Sequence, residues 1–182
     1  MPRSLKSGFF IEPLGKGHDR AAFSCGNKTL DRYFHETVGQ DIKKRSAAAY
    51  VLTDGNHGKI YGYYTLAASS APFGEFPPDV VRGLPKYPDV PVTLIGRMAI
   101  NTKDQGQGYG ESLLMDACRI SYENSLRVAS AAIVVDAKDD RSAAFYREFG
   151  FIPVAACPWR LFIPMKTIET LVFNPCGRGN PI

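Results

Sequence analysis

The chain has 182 residues, with 22 Lys and Arg against 18 Asp and Glu, so its formal net charge is +4 at pH 7. This length is enough to bury a substantial core, and we expect residues 1–182 to form a single domain. No apolar run is long enough to span a bilayer and the first residues lack the apolar stretch of a signal peptide, so we expect a cytoplasmic protein. The mild excess of positive charge permits a polyanionic partner without requiring one.

The N-terminal part predicts strands around one amphipathic helix. Strands are expected at residues 9–13, 47–53 and 59–68, and the last two are joined through turn residues at 54–58. A helix is expected at 28–44, because apolar residues recur there at helical spacing. Its stripe consists of Leu30, Phe34, Val38 and Ile42, with Tyr33 beside it.

The middle of the chain predicts a loop followed by a central strand. Residues 72–91 are rich in proline and predict a loop with one turn of helix near 79–83. Residues 92–100 form an apolar strand that contains one charge, Arg97. An unpaired charge would be costly there, so Arg97 must pair or face a cleft, and both a phosphate contact and an internal salt bridge are open.

A glycine-rich loop follows this strand and precedes a predicted helix at residues 111–124. The loop is Gln105-Gly106-Gln107-Gly108-Tyr109-Gly110. Glycines let a backbone approach a ligand closely, and the start of a helix directs N–H groups and partial positive charge at an anion. The pattern therefore indicates a phosphate-bearing cofactor. The helix is predicted from apolar or small residues at helical spacing, Leu113, Leu114, Ala117, Cys118 and Ser121.

Three phosphate-binding motifs compete for this loop. A P-loop is excluded, because Gly110 is followed by Glu111-Ser112 instead of Lys-Ser/Thr. A dinucleotide fingerprint lacks its third glycine, which is Glu111 here, although Asp136 could serve as the ribose-binding acid. The third pattern, Gln/Arg-x-x-Gly-x-Gly, is matched by Gln105, Gly108 and Gly110.

The C-terminal part predicts a buried strand at 131–137, a short helix and another strand ending at 155. Asp139-Asp140 offers the N-cap of the helix, and Gly150 ends it. Tyr146 lies in its last turns, shortly before Gly150-Phe151. The tail, 174–182, is expected to be frayed. The four cysteines and three histidines are dispersed, so we predict no metal site and no disulfide framework.

The Gln105 loop resembles the pyrophosphate loop of the GNAT superfamily of acyl-CoA-dependent N-acetyltransferases. Tyr146 before Gly150-Phe151 resembles the tyrosine that stands beside the acyl-CoA sulfur in that superfamily. Further segments are similar to the GNAT toxins of bacterial type II toxin–antitoxin pairs, which acetylate the amino group of aminoacyl-tRNA. These segments are Phe23-Ser24-Cys25-Gly26-Asn27, Leu30-Asp31-Arg32-Tyr33-Phe34 with Gln40, Ala49-Tyr50-Val51-Leu52, Ile60-Tyr61-Gly62-Tyr63-Tyr64-Thr65-Leu66 and Leu94-Ile95-Gly96-Arg97-Met98-Ala99-Ile100. The resemblance runs from about Phe9 to Thr170.

The resemblance implies an α/β (α+β) GNAT fold and a site for acetyl-CoA. The fold is a central mixed, mostly antiparallel sheet with helices on both faces, in which strands 92–100 and 131–137 run parallel and splay apart. Tyr146 is implied as the general acid. The residues implied to bind the cofactor are Met98, Ala99 and Ile100 along the pantetheine arm, Gln105, Gly106, Gln107, Gly108, Tyr109 and Gly110 at the pyrophosphate, and Ser142 and Phe145 on the helix after Asp139.

The same resemblance implies aminoacyl-tRNA as acceptor, a cognate small antitoxin, a homodimer and no membrane association. Candidate nucleic-acid contacts are Lys43, Lys44, Arg45, Arg82, Lys86 and Arg97. Cations at the end of the 28–44 helix also suit the helix dipole, so a solvated helix end is equally consistent with Lys43-Lys44-Arg45. No Asp or Glu stands out as a general base, which fits an α-amine, whose pKa is near ~8. Alternatives are a GNAT enzyme acting on a protein N-terminus, polyamine or antibiotic, and a CoA-binding interaction domain without turnover.

Overall fold

The structure is a computed structural model that describes residues 7–173 with the exception of 57 and 155. The chain divides into two compact units. Unit 1 comprises the residues up to Ala67 together with Gly96–Ala117, and unit 2 comprises Ala68–Ile95 and the residues from Cys118 onward. The tail predicted to fray, 174–182, lies outside the described residues, and the expectation of a single domain stays a prediction.

In the part of the chain that the structure describes, seven strands form one mixed sheet in the order β1-β2-β3-β4-β5-β7-β6. The pairs β1–β2, β2–β3, β5–β7 and β6–β7 are antiparallel, and β4–β5 is parallel. The predicted mixed, mostly antiparallel sheet with one parallel pair is therefore confirmed. The strands are β1 (Phe10–Pro13), β2 (Ala48–Thr53), β3 (Gly62–Pro72), β4 (Asp89–Ile100), β5 (Ala132–Asp136), β6 (Ile152–Val154) and β7 (Cys157–Pro164).

Within the described residues, six α-helices accompany the sheet, and a π-helical segment, Tyr33–Thr37, joins the first two into one continuous helix. The π-segment was not predicted, although the outer limits of the predicted helix, 28 and 44, are correct. The helices are α1 (Lys28–Arg32), α2 (Val38–Lys44), α3 (Pro78–Val81), α4 (Tyr109–Ser125), α5 (Asp140–Glu148) and α6 (Met165–Phe173).

Unit 1 is built around an aromatic core beneath the first helices. Asn27 caps α1, because its side chain accepts the N–H groups of Thr29 and Leu30. Phe34 is fully buried, and its ring stacks on that of Tyr63 with centroids 4.1 Å apart. The apolar stripe predicted for this helix does face the core.

Unit 2 is built around the parallel pair and β7. β4 pairs with β5 from Val92–Ala132 to Ile95–Val135, and β7 pairs with β5 on its other side. The Asp139 side chain accepts the N–H of Ser142, as expected for the N-cap of α5, and Gly150 has a φ of +87° beyond its end.

The predicted loop at 72–91 was wrong at both ends. β3 continues to Pro72, and β4 begins at Asp89 and includes Pro91. Proline argues against a central strand because it lacks the N–H that a ladder needs. Pro91 is tolerated because it lies near the start of β4, before the register with β5 begins, and its carbonyl accepts the N–H of Ala131 at 2.8 Å.

Candidate active site

The loop between β4 and α4 lies in unit 1 and carries the predicted pyrophosphate motif. Gly106 and Gly108 have φ values of +77° and +84°, in the left-handed region that other residues rarely adopt. The first turn of an α-helix has N–H groups with no acceptor inside the helix, and its dipole adds partial positive charge there. The loop and the start of α4 at Tyr109 are therefore suited to an anion such as a pyrophosphate.

The side chain of Gln105 ties this loop to its surroundings. Its Nε2 donates to the carbonyl oxygens of Ile100 and Cys25, each at 3.3 Å. The N–H and the hydroxyl of Thr102 both donate to the Ser24 carbonyl at 2.8 Å. The first residue of the motif thus fixes the loop to the end of β4 and to the segment before α1.

Met98, Ala99 and Ile100 form the end of β4. The ladder with β5 stops at Ile95, whereas β4 continues to Ile100. Ala99 is buried, and its two neighbours are half-buried. These last residues therefore offer extended backbone beyond the ladder with β5, as the resemblance requires for a pantetheine arm.

Tyr109 and Asp104 show which groups of the loop can reach a cofactor. Tyr109 is 5% exposed, and its ring stacks on Phe9 with centroids 5.4 Å apart. Asp104 is also buried, and Lys59 Nζ lies 3.9 Å from its carboxylate and offsets its charge. A pyrophosphate would therefore contact the backbone of this loop rather than the Tyr109 side chain.

Tyr146 lies in unit 2 on α5, where it is 7% exposed. Its ring packs against Phe145 and Phe151 with centroids 5.3 and 5.5 Å away. Burial raises the pKa of the Tyr146 phenol, and the neighbouring Cys118 thiol adds to that increase. No described residue hydrogen-bonds to the Tyr146 hydroxyl, yet this oxygen is not among the fully buried polar atoms without partners. A phenol that remains protonated can donate its proton to a bound group that reaches it.

Ser142 and Phe145 contact neighbouring residues of α5 and of its two caps. The N–H and hydroxyl of Ser142 both donate to Asp139 Oδ1, at 2.7 and 2.6 Å, and these bonds lower the pKa of Asp139. The Phe145 ring packs against Phe149 as well as Tyr146. Their contact with a cofactor stays a prediction.

The structure separates the predicted nucleic-acid residues into two sets. Lys43 and Lys44 lie exposed in the last turn of α2, with Arg45 exposed just beyond it. Arg82 and Lys86 are exposed on the connection between α3 and β4 in unit 2.

Arg97 belongs with the unit 1 set but is half-buried. Its guanidinium carbon lies 3.5 Å from the centre of the Tyr33 ring. No carboxylate of the described residues forms an ion pair with it, so the internal salt bridge left open by the sequence is not found in residues 7–173 outside 57 and 155.

The part of the chain that the structure describes has neither a metal-binding cluster nor a membrane-spanning helix. There, no group of three or more His, Cys, Asp or Glu side chains is placed to hold a metal ion. In the same part, none of the helices is both long and apolar enough to cross a membrane.

The family model of the acetyltransferase (GNAT) family matches residues 22–151, well over half of the chain. The chain belongs to the GNAT acetyltransferase family. GNAT membership agrees with the Gln/Arg-x-x-Gly-x-Gly interpretation of the Gln105 loop, whose contact with a cofactor stays a prediction.

Two relatives of this chain are described as toxins. The probable toxin TacT of Sinorhizobium fredii is 30% identical over 170 residues, covering 89% of this chain and 94% of the relative. A tRNA-acetylating toxin of Mycobacterium tuberculosis is 31% identical over 159 residues, covering 87% of this chain and 93% of the relative. This GNAT protein is therefore similar to toxins over nearly its whole length.

Two solved structures show the same similarity. AtaT complexed with acetyl-methionyl-tRNAfMet has a TM-score of 0.83 at 29% identity, covering 90% of this chain and 98% of AtaT. A tyrosine-to-phenylalanine variant of AtaT, bound to the C-terminus of the antitoxin AtaR and acetyl-CoA, has a TM-score of 0.76 at 29% identity. In that comparison 92% of this chain and 99% of the variant are covered.

Sequence reasoning missed the residues that support the site. Ser24 and Thr102 hold the Gln105 loop, and Asp41 holds Tyr33. The segment around Ser24 belonged to the quoted family pattern, but nothing in its spacing indicated a contact with a loop almost 80 residues away. Asp41 could not be assigned, because its approach to Tyr33 depends on the unforeseen π-segment.

Proposed function

We propose that this GNAT protein transfers the acetyl group of acetyl-CoA to the α-amino group of aminoacyl-tRNA and so blocks translation. The observation that carries the proposal is the likeness, over nearly the whole chain, to a tRNA-acetylating toxin and to AtaT in its complex with acetyl-methionyl-tRNA. The loop and tyrosine that this chemistry needs are both present, as Gln105 to Gly110 and Tyr146.

Acetyl-CoA binds through backbone groups. The pyrophosphate takes the N–H groups of Gly106 to Gly110 at the start of α4, where the glycines leave room for a close approach. The pantetheine arm runs along Met98 to Ile100, where β4 extends beyond its ladder with β5. The loss of strand pairing is thereby offset by hydrogen bonds to the ligand.

Transfer requires a neutral amine and a proton for the departing thiolate. The amine nitrogen attacks the thioester carbonyl, the C–S bond breaks, and the amide forms as the amine loses its proton to solvent. An α-amine has a pKa near ~8, so a fair fraction is neutral at cell pH and a strong general base is not needed. Tyr146, whose phenol is protonated at cell pH, donates its proton to the CoA thiolate.

The acceptor and the protein partners follow from the same relatives. Exposed cations, Lys43, Lys44 and Arg45 in unit 1 and Arg82 and Lys86 in unit 2, contact tRNA phosphates. A small antitoxin neutralises the protein, as the AtaT complex with AtaR suggests by analogy. The protein acts as a homodimer in the cytoplasm, where charged tRNA is found.

Mass spectrometry of the acceptor tests this proposal directly. Charged tRNA is incubated with the protein and isotope-labelled acetyl-CoA, digested with ribonuclease, and examined for N-acetyl-aminoacyl-adenosine. We expect the label on the α-amine of at least one aminoacyl species. Label appearing instead on a peptide N-terminus or a polyamine in parallel incubations, with none on tRNA, would establish the alternative acceptor. Acetyl-CoA binding without any transfer would identify a non-catalytic domain.

A further inference from the structure

Arg97 is a half-buried cation near the end of β4. Its guanidinium lies over the Tyr33 ring, and no described carboxylate neutralises it. Arg97 is intermediate in burial, so the residue keeps some solvent-exposed surface. A cation placed in this way is available to an anion from outside the chain.

The Tyr33 ring is itself held in place through its hydroxyl. Its hydroxyl donates to Asp41 Oδ2 at 2.8 Å, and the Ser46 hydroxyl donates to Asp41 Oδ1 at 3.2 Å. Burial and the Asp41 hydrogen bond raise the pKa of Tyr33 to about 12, so the phenol stays neutral beneath the guanidinium. Asp41 thus fixes the ring, and the ring sets the plane of the Arg97 fork.

Strand geometry turns Arg97 away from the predicted pyrophosphate site. Side chains alternate along β4, so Arg97 and Ile100 project to opposite faces. The Ile100 and Leu113 Cδ1 atoms both adjoin Gly62, which places Ile100 on the α4 face. Ala99, on the face of Arg97, belongs to the core cluster that contains Tyr33. Because the Gln105 loop leads into α4, Arg97 is not directed at the phosphates of the cofactor.

The geometry points to Arg97 as a specificity residue that binds one backbone phosphate of the acceptor tRNA, an inference that rests on the proposed function. A guanidinium fork matches two phosphate oxygens, and stacking on Tyr33 orients the fork before the ligand arrives. Partial burial limits screening by salt. Ser46, which bonds Asp41, directly follows Lys43-Lys44-Arg45 in the chain, and those three cations are exposed.

The test compares three variants on two acceptors. Arg97→Met removes the charge, Arg97→Lys keeps the charge without the fork, and Tyr33→Phe keeps the ring but releases it from Asp41. Kinetics are measured with charged tRNA and with an amino acid methyl ester, which has the amine but no phosphate. For Arg97→Met we expect the KM for charged tRNA to rise about 10- to 100-fold. Its salt dependence should become shallower by about one phosphate contact.

The other readouts distinguish the roles that Arg97 could have. Arg97→Lys should lie between wild type and Arg97→Met, and Tyr33→Phe should show a smaller rise in the KM for charged tRNA. The KM for acetyl-CoA and the rate on the methyl ester should match wild type in all three. Unchanged KM and salt dependence for charged tRNA in a folded Arg97→Met protein would overturn the inference.

Two further outcomes would also overturn it. A raised KM for acetyl-CoA would show that Arg97 contacts a phosphate of the cofactor. An equal loss of activity with charged tRNA and with the methyl ester would show that Arg97 only supports the fold. If Arg97→Met does not fold, Arg97→Lys provides the test. A KM for charged tRNA equal to that of the wild-type protein in Arg97→Lys would contradict a two-pronged contact between the guanidinium and a phosphate. Absence of any transfer from the wild-type protein to charged tRNA would instead refute the proposed function itself.

Discussion

Arg45 is a basic residue in a backbone conformation that usually selects glycine. It ends α2 with φ 56° and ψ 28°, and among the described residues it is the one residue other than glycine with a positive φ. This left-handed conformation costs an L-residue roughly 1–2 kcal/mol. Glycine would relieve that cost, so Arg45 is a position where the cost to stability and a contribution to binding can be measured apart.

Arg45→Gly should therefore separate stability from binding. We expect the free energy of unfolding to stay equal or to rise by up to about 1 kcal/mol, because glycine accepts this conformation. The KM for charged tRNA should rise about fivefold, the effect of losing roughly 1 kcal/mol of phosphate contact. Chemical denaturation and steady-state kinetics provide the two readouts. Lys16→Gly removes an exposed cation from a loop of the same unit and is the matched control. If the KM of Arg45→Gly for charged tRNA equals that of the wild-type protein, Arg45 does not contact tRNA and the end of α2 is simply solvated.

Tyr146→Phe removes one hydroxyl and retains the packed ring. No described residue hydrogen-bonds to that hydroxyl, so the fold and acetyl-CoA affinity should be nearly unchanged. Transfer should slow by roughly 10²–10⁴, the contribution of a positioned acid. Single-turnover rates with saturating acetyl-CoA measure the effect. Tyr122→Phe, which removes a hydroxyl that interacts with Glu169 on α6, is the control and should keep its turnover. Equal rates in Tyr146→Phe and wild type would remove Tyr146 from the mechanism.

The loop before α4 is the element whose shape the proposed activity depends on most. Gly108 has a φ of +84°, so any side chain there is strained, and an added carboxylate would stand where a pyrophosphate must approach. Gly108→Glu should reduce acetyl-CoA affinity by at least about 100-fold, since charge repulsion and strain together exceed roughly 3 kcal/mol. Calorimetry on the folded variant is the measurement. Gly17→Glu is the control, because a Cβ at Gly17 meets no atom within 4 Å and its φ is not positive. Wild-type affinity in Gly108→Glu would show that the cofactor binds elsewhere.

The elements were predictable where periodicity and capping agreed. The strand at Phe10–Pro13, the cap at Asp139 and the buried stripe of α4 follow from local patterns, and the structure confirms them. β7 and α6 were not predicted, because the apolar run of β7 is short and lies between Pro158 and Pro164.

The candidate site likewise combines features that local sequence patterns predict with contacts that they do not predict. The Gln105 motif is local, so the sequence could predict a loop with glycines in the left-handed region. The bonds from Gln105 to Cys25 and from Thr102 to Ser24 are long-range, and no spacing rule predicts them. The stacking of Arg97 on Tyr33 likewise joins two segments that are far apart in the chain.

For the molecule as a whole, buried tyrosines and a thiol predict how stability depends on pH. Burial raises the pKa of Tyr33 and Cys118 to about 12, and it raises the pKa of Tyr63 and Tyr146 as well. A folded-state pKa above the unfolded value means that the stability is fully present below the unfolded pKa. It is then lost as pH rises through the folded pKa.

The melting temperature should therefore be flat from about pH 7 to 8.5 and fall steeply above about pH 10, where unfolded tyrosine ionises. Circular dichroism melts across this range measure it. Tyr33→Phe should flatten part of the alkaline decline, because one buried phenol no longer has to ionise. A melting temperature that rose above about pH 10 would contradict the assignment of these phenols as buried and neutral.

The π-segment at Tyr33–Thr37 also bears on how this chain should be compared with its relatives. A π-turn closes with a hydrogen bond from i to i+5, so it accommodates one more residue than an α-turn over the same stretch of axis. A relative with an uninterrupted α-helix here should align with a one-residue gap between Tyr33 and Val38. An alignment that ignores the gap shifts every position from 38 to 44 by one. Asp41, Lys43 and Lys44 would then be matched to residues about 100° away around the helix axis.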